Sequence, residues 1–394
     1  MKVEQIATLM NNVTSEILGK TDVASSDLHN VVDMGKEIFD NTSMDNYVKS
    51  LVNHIGKVIF VNRPYSGSVP SMLMDAWEYG SVLEKITAEI PNAVENSSWN
   101  LTDGTEYKQD IFHKPQVSAK FFNKKATFEI PMSFTEMQVK ESFSSAEQLN
   151  AFISMIYGAV DKSMTVKIDS LIMATIQNMI AQTFHHEFTD VSDGDYGGKT
   201  STRAVNLLHL YNANFSKTLT ADKCITDPDF IRYASYIMGV YKDRMSKISS
   251  LFNVGGKDRF TPSDMLHFVM LSDFKNAAIS YLESNTFHND MVALPNSESV
   301  PFWQGSGTDY SFNSISHINV NIDDGSNGTA VVNTSGIIGV MYDRDSMGVC
   351  NTNRRVTTNY NAKAEFFNNY YKFDASYFND LNENFVVFFV ANDK

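Results

Sequence analysis

Cysteine is almost missing. Cys224 and Cys350 are the only two in 394 residues and stand far apart, which excludes a disulfide framework and a paired CxxC metal site and points to a reducing compartment. Long apolar runs are missing as well. The longest, Phe385 to Ala391, is far too short to span a bilayer, and Met1-Lys2-Val3-Glu4 leads into alternating polar and apolar residues instead of a signal core. A soluble, unexported protein with no membrane contact is expected. Positive charge is scarce: 32 basic residues face 46 acidic ones, a net charge of -14. The surface as a whole therefore does not attract nucleic acid or anionic lipid.

Catalytic patterns are equally thin. No GxSxG occurs, and neither cysteine has a histidine beside it. His185-His186-Glu187 is the most metal-like cluster, but adjacent histidines point to different sides and the HExxH spacing is absent, so it reads as a solvated helix end. Gly197-Gly198-Lys199-Thr200 resembles the close of a phosphate loop, yet Asp193 stands where that loop needs its first glycine. It reads as a flexible crossover. The run from Asp323 to Gly328 is shorter than a calcium-binding EF-hand loop and lacks its terminal glutamate, which leaves a tight turn. No catalytic residue, metal or cofactor is expected, and the chain reads as a non-enzyme.

Apolar material is ample: 43% of residues are hydrophobic and 12% aromatic, enough for one large or two modest cores. Ile6, Leu9, Met10, Val13 and Ile17 step by threes and fours, which predicts an amphipathic helix closing at Gly19. Ser26 and Asp27 are placed to cap a second helix through Leu28, Val31, Val32 and Ile38. A third follows through Tyr47, Leu51, Ile55 and Val58 before Arg63-Pro64. Short helices make a poor core alone, so residues 1–69 read as an arm that packs on a neighbouring chain, with Ile6, Leu9, Val13 and Ile17 as its contacts.

Val82 to Ile90 and Val117 to Met132 are extended around a polar middle, and Ala126, Phe128, Ile130 and Met132 share one strand face. A long two-stranded excursion cannot bury both faces in its own domain. Lys114, Lys120, Lys124 and Lys125, interleaved with Phe121, Phe122 and Phe128, form a charged strand edge expected to meet acidic residues of another subunit. Next, Leu149, Ile153, Ile156, Val160, Met164, Ile168, Leu171, Thr175 and Met179 predict one helix of about 60 Å from Ser144 to Phe184, opened by a Ser144/Glu147 capping box. Asp190 to Thr202 crosses into a second lobe. There Asp227-Pro228 opens a helix to Met245, Asp273 to Glu283 forms another, and strands fall at Met265–Leu271, Val292–Leu294, Ile318–Ile322, Ile337–Tyr342 and Phe385–Val390. Mixed order without regular βαβ repetition predicts an α+β fold.

This order of arm, extended excursion, long helix, α+β lobe and returning aromatic strands resembles the major capsid proteins of tailed bacteriophages with the Hong Kong 97 fold. The segments that carry it are LVNHIGKV (Leu51–Val58), PQVSAKFFNKKATFEIPMSFTEMQVKESF (Pro115–Phe143), the long helix, Met341-Tyr342-Asp343 and Phe366 to Phe373. Within that class they are similar to the phi-twenty-nine-like podophage coat proteins. The resemblance implies an N-terminal arm (1–69), an E-loop with flanking strands (70–135), a peripheral domain with a spine helix (136–200), an axial domain (201–344) and C-terminal strands returning to the peripheral domain (345–394). It implies a structural protein that self-assembles into hexamers and pentamers of an icosahedral head in the bacterial host cytoplasm, enclosing double-stranded DNA without sequence-specific contact.

The implied partners are a second copy of the chain, a separate scaffolding protein, a portal protein and a decoration protein. Neither an immunoglobulin-like extension nor a charged scaffold-like N-terminal segment is expected. Some coats of this fold join subunits through a lysine and an asparagine near a glutamate. Lys108 or Lys114 with Asn359 or Asn361 and Glu365 are the counterparts, and no such bond is expected here. Two alternatives are an encapsulin-like compartment and a cytoplasmic hydrolase using His185, Glu187 and Asp193.

Overall fold

A computed structural model describes residues 3–21, 24–61, 69–74, 83–91, 93, 95–107, 110–189, 195–283, 297–304, 311–323 and 328–393. Three helices come first: α1 (Val3–Leu18), α2 (Val31–Asn41) and α3 (Met44–Val61). Strands β1 (Leu73–Met74), β2 (Leu83–Ala88), β3 (Val117–Phe122) and β4 (Lys125–Thr135) follow, then α4 (Glu136–Ser142) and the long α5 (Ala146–Glu187). Next come β5 (Ala204–Asn206), α6 (Leu207–Phe215), α7 (Ala221–Cys224), α8 (Pro228–Met245), β6 (Leu266–Leu271), α9 (Ser272–Glu283), β7 (Ser297–Val300) and α10 (Phe312–Ile315). The chain closes with β8 (Ile318–Asp323), β9 (Thr329–Thr334), β10 (Ile337–Asp343), β11 (Met347–Asn361), β12 (Phe366–Asn379) and β13 (Phe385–Phe389). It divides into two compact units: Met1–Glu78, Lys125–Ile176 and Gly348–Tyr377 make the first, and Tyr79–Lys124, Gln177–Met347 and Phe378–Lys394 the second.

In the first unit the apolar stripes of α1 and α3 face inward. Ile6, Leu9, Met10, Val13, Tyr47, Val48, Leu51, Val52 and Ile55 are all buried. Phe143 adds edge-on ring contacts to Phe39 and Tyr47, at centroid distances of 5.1 and 5.5 Å. Gly35 lets α2 approach that ring: a Cβ there would lie 2.9 Å from Phe143. Ile6, Leu9 and Val13, expected as contacts of the arm, lie buried within their own chain. The three helices and Phe143 supply enough facing apolar area to bury those side chains within one chain, and Ile17 is left half-buried at the end of the stripe.

The second helix starts later than its expected cap. Asn30 precedes it without a side-chain capping bond, the Asp27 carboxylate turns back to accept from the His29 backbone N–H at 3.3 Å, and Leu28 takes a positive φ of 58°.

The sheet of the first unit runs β1-β11-β12-β4. β12 and β4 pair antiparallel from Phe366 opposite Thr135 to Ser376 opposite Lys125, so Ile130 and Phe134 join Phe367, Tyr371 and Phe373 on the buried face. The capping box lies not at Ser144 but at Thr135, whose hydroxyl accepts from Gln138 N–H at 3.2 Å while the Gln138 side chain accepts from Thr135 N–H at 3.0 Å. α5 is capped one residue later than expected, by Ser145, which accepts from Gln148 N–H. Its buried row follows Leu149, Ile153, Ile156, Val160, Met164 and Ile168 as expected. Leu171 is half-buried with Ile172 buried beside it, and the row continues through Thr175 and Met179 as expected.

The sheet of the second unit runs β5-β13-β10-β6-β7. β13, with the sequence FVVFF, is buried at every position, as a central strand covered on both faces requires. One face packs on α6 and α8 through Val386, Phe388, Phe268, Met341, Phe230, Ala234 and Met238. On the other, Phe389 meets Phe184, Phe188 and Tyr196 in an aromatic cluster. Asp227 caps α8 by accepting from Asp229 and Phe230 N–H, with Pro228 at the first helical position, as the sequence predicts. The expected strand at Val292–Leu294 lies outside the described residues.

Candidate functional site

The region without a core of its own is the strand pair β2–β3 and the loop it carries, residues 89–116. The two strands form a separate two-stranded sheet, paired antiparallel from Leu83 opposite Phe122 to Ala88 opposite Val117. Alternation puts Leu83, Lys85, Thr87, Ser118, Lys120 and Phe122 on a half-buried face and leaves Glu84, Ile86, Ala88, Val117, Ala119 and Phe121 in solvent. Not one residue of either strand is fully buried. In the loop, Trp99 is 94% exposed and Phe112 86% exposed, with Ile90, Leu101, Tyr107 and Ile111 also in water. Full burial of an aromatic or branched aliphatic side chain stabilises by about 1.5–3 kcal/mol, so this loop holds a large unused reserve of binding energy.

The half-buried face is anchored by charge. Lys85 and Lys120 stand directly opposite each other in the ladder, a like-charge pair that is destabilising unless something neutralises it. Asp380 does so, its carboxylate almost wholly enclosed: Lys120 Nζ lies 2.8 Å from Oδ1 and Lys85 Nζ 3.1 Å from Oδ2. Lys85 also reaches Glu383 Oε1 at 2.8 Å and donates to the Asp345 carbonyl at 3.2 Å, and Arg259 Nε lies 3.3 Å from the same Glu383 oxygen. Burial alone pulls the Lys85 amine down, but the Glu383 and Asp380 carboxylates outweigh it and hold the amine above its usual value. Burial likewise raises Asp380, and the Lys120 and Lys85 amines outweigh that and hold its carboxyl below the usual range.

The turn that presents both carboxylates is tied down by its backbone. Asp380 N–H donates to the Ser346 carbonyl at 2.6 Å, Gly255 N–H to the Leu381 carbonyl at 2.8 Å, and Phe385 N–H to the Phe252 carbonyl at 2.9 Å. Asn384 donates to Thr261, which in turn donates to Asp343. Sequence reasoning read Asn379 to Asn384 only as a turn and missed Lys85, Arg259, Asp380 and Glu383. Their signal was weak: a lysine at an inward position of each strand, and two carboxylates in the DLNEN turn.

Of the expected contact residues, Lys114, Phe121, Lys124 and Lys125 are exposed. The others are engaged in their own chain. Lys120 meets an acidic residue as expected, but an intramolecular one. Phe122 packs on Phe378 at 5.2 Å and Phe128 on Phe373 at 5.1 Å between ring centroids. Elsewhere, the Glu187 carboxylate is paired with Arg203, and no group of histidine, cysteine, aspartate and glutamate among the described residues is arranged to hold a metal ion. Asp193 lies outside the described residues. At Gly197-Gly198 the chain makes a turn, Lys199 N–H donating to the Tyr196 carbonyl at 3.2 Å. Cys224 and Cys350 are buried, and no helix among the described residues is long and apolar enough to cross a membrane.

Solved structures similar to this chain include those of phage heads. A capsid structure of Staphylococcus phage Andhra matches at 10% identity and a TM-score of 0.51, over 84% of this chain and 86% of that one. A structure of the head fiber and inner core protein gp22 of bacteriophage P68 matches at 9% identity and 0.48, over 81% and 83%. A capsid structure of Cyanophage P-SCSP1u matches at 9% and 0.45, over 84% and 88%. At these identities the likeness concerns the fold, and the Andhra structure carries it: this is a mixed helix-and-sheet fold of the Hong Kong 97 type.

The family follows from the sequence itself, because a profile of the Phi29-like phage major capsid protein matches residues 7–389. The chain belongs to that family, and its role is structural, as a shell protein of the virion capsid. A comparison with curated proteins returns no match. Neither an encapsulin-like compartment nor a hydrolase is favoured by these relationships.

Proposed function

We propose that the chain builds the phage head as hexamers and pentamers of an icosahedral shell around double-stranded DNA, and that residues 89–116 act as the E-loop that lies on a neighbouring subunit. The observation that supports this most is the exposure of Trp99 and Phe112 on a strand pair with no apolar core of its own. Such a surface is costly in a free subunit and gains its area only when a second copy covers it. The first unit offers a suitable face: α5 turns Met155 and Val166 to solvent, with Ala151, Ala159 and Ala174 on the same exposed row and Lys162 and Lys167 beside it.

In this reading α1 to α3 form the arm region, α5 is the spine, the five-stranded unit is the axial domain, and β11 and β12 belong to the peripheral domain. Assembly takes place in the host cytoplasm with a scaffolding protein and a portal, and a decoration protein attaches outside. The acidic net charge of -14 suits a container that does not grip its DNA. The test is deletion of residues 92–114 with electron microscopy and sedimentation. A folded subunit that makes no shells is expected, and normal shells from the deleted chain would contradict the role of the loop.

A further inference from the structure

We propose that the E-loop is fastened to its own subunit by a detachable charge clamp, in which the cross-strand pair Lys85 and Lys120 closes on Asp380 and Glu383, and that opening this clamp is what lets the strand pair swing. The inference rests on reading residues 89–116 as the inter-subunit loop. Three observations support it. Among the described residues β2 and β3 hydrogen-bond as strands only to each other, and no main-chain ladder there fixes them to the five-stranded sheet. Their apolar attachment is slight, with Phe122 on Phe378 as its one aromatic contact among the described residues. The charges, by contrast, converge: two amines from neighbouring strands meet a carboxylate that is 2% exposed, and Arg259 and Lys85 share Glu383.

Ion pairs suit a reversible joint better than apolar packing does. They are directional and lose their geometry over a few ångströms, and the amines released are readily solvated. The turn that carries the carboxylates is held by backbone bonds to Ser346 and Gly255 and by the Asn384, Thr261 and Asp343 side chains, so it stays in place when the lysines leave. The charged groups facing the joint are Lys85 on β2, Lys120 on β3, Arg259 from the segment before β6, Asp343 at the end of β10, and Asp380 and Glu383 themselves. Lys257 adds an outer pair to Glu89, just beyond β2.

The burial of both native cysteines makes the test clean. Cys224 has its thiol pushed up to about 12 by burial, and Cys350 is fully enclosed, so surface cysteines label selectively. Nitroxide labels at Ala119→Cys on the exposed face of β3 and Ser250→Cys in the second unit report the position of the strand pair by pulsed electron resonance on full-length, unassembled subunits. A single narrow distance distribution is expected for the parent. In Lys85→Met/Lys120→Met, which keeps the stems and removes the charges, it should broaden about twofold or shift to longer distance. Lys120→Met alone, at a partly exposed side chain, serves if the double variant does not fold, and a smaller broadening is expected there. A distribution as narrow as the parent's in the charge-free variants would overturn the clamp. This readout needs no shell, so it is separate from the deletion experiment, which tests the loop's role without reference to the clamp.

Discussion

Two sheets of the second unit are held by different forces. In the five-stranded sheet every residue of β13 and β10 is buried, and the strands are covered on both faces by helices and aromatic side chains. In the β2–β3 pair no residue is buried, and what fixes the pair is two lysines, two carboxylates and one ring contact. Apolar burial gives the first sheet stability that does not depend on neighbours. Charge gives the second an attachment that can be undone, and its apolar surface stays available for another chain. The proposed role needs both kinds of element, a rigid body and a part completed by a neighbour.

The comparison is broken most severely in the sheet. Phe388→Ala removes a fully buried ring from the core against Tyr241 and Phe268, and a loss of about 3–5 kcal/mol is expected, read as a large fall in thermal midpoint. At the clamp, Asp380→Ala leaves Lys85 and Lys120 opposed without their shared carboxylate. About 3 kcal/mol of local stability should be lost, seen in hydrogen exchange of β2 and β3 and not of β6 and β10.

Acid should separate the two sheets next. The Asp380 carboxyl is held below its unfolded value, so its contribution is present above that value and is lost as the pH falls through the lower, folded one. Asp343, at the end of β10, is pushed up by burial. Its folded form binds the proton more readily, so acid favours it. Exchange followed on descending pH should therefore loosen the strand pair before the five-stranded sheet, and loss of both together would contradict the division. The smallest effect on the free subunit is expected from Trp99→Ala with Phe112→Ala. Both side chains are exposed, so the thermal midpoint should move by no more than about 0.5 kcal/mol equivalent, while shell yield in sedimentation falls sharply.

Much of this division is legible in the sequence, and where it is not the reason is physical. β13 announces itself as an unbroken apolar run, and α5 by a nine-position stripe of which every member but Leu171 is buried. α8 is signalled by Asp227-Pro228. The extended excursion is visible as alternation, because a strand wet on one face must alternate. The partners of such elements are not visible. Ile6, Leu9 and Val13 form an amphipathic stripe that fits a neighbour or the same chain equally well, and only the facing stripe of α3 and the ring of Phe143 decide for the latter.

Lys120 shows the same limit from the other side. Its need for an acidic partner can be read locally, but that partner is Asp380, 260 residues away, and Lys85 is matched to it only through strand register. The cap of α5 falls one residue from its expected place: Ser144 and Ser145 are adjacent and chemically equivalent, and it is Ser145 that accepts from Gln148 N–H.

The most direct measurement is a cryo-electron microscopy structure of assembled shells at side-chain resolution, inspected at residues 95–107 and 110–116. Trp99 and Phe112 are expected to be buried against a neighbouring copy, with the first unit's α5 beneath or beside them. If those two side chains still project into solvent in the closed shell, the claim that this loop is completed by the neighbouring subunit is wrong.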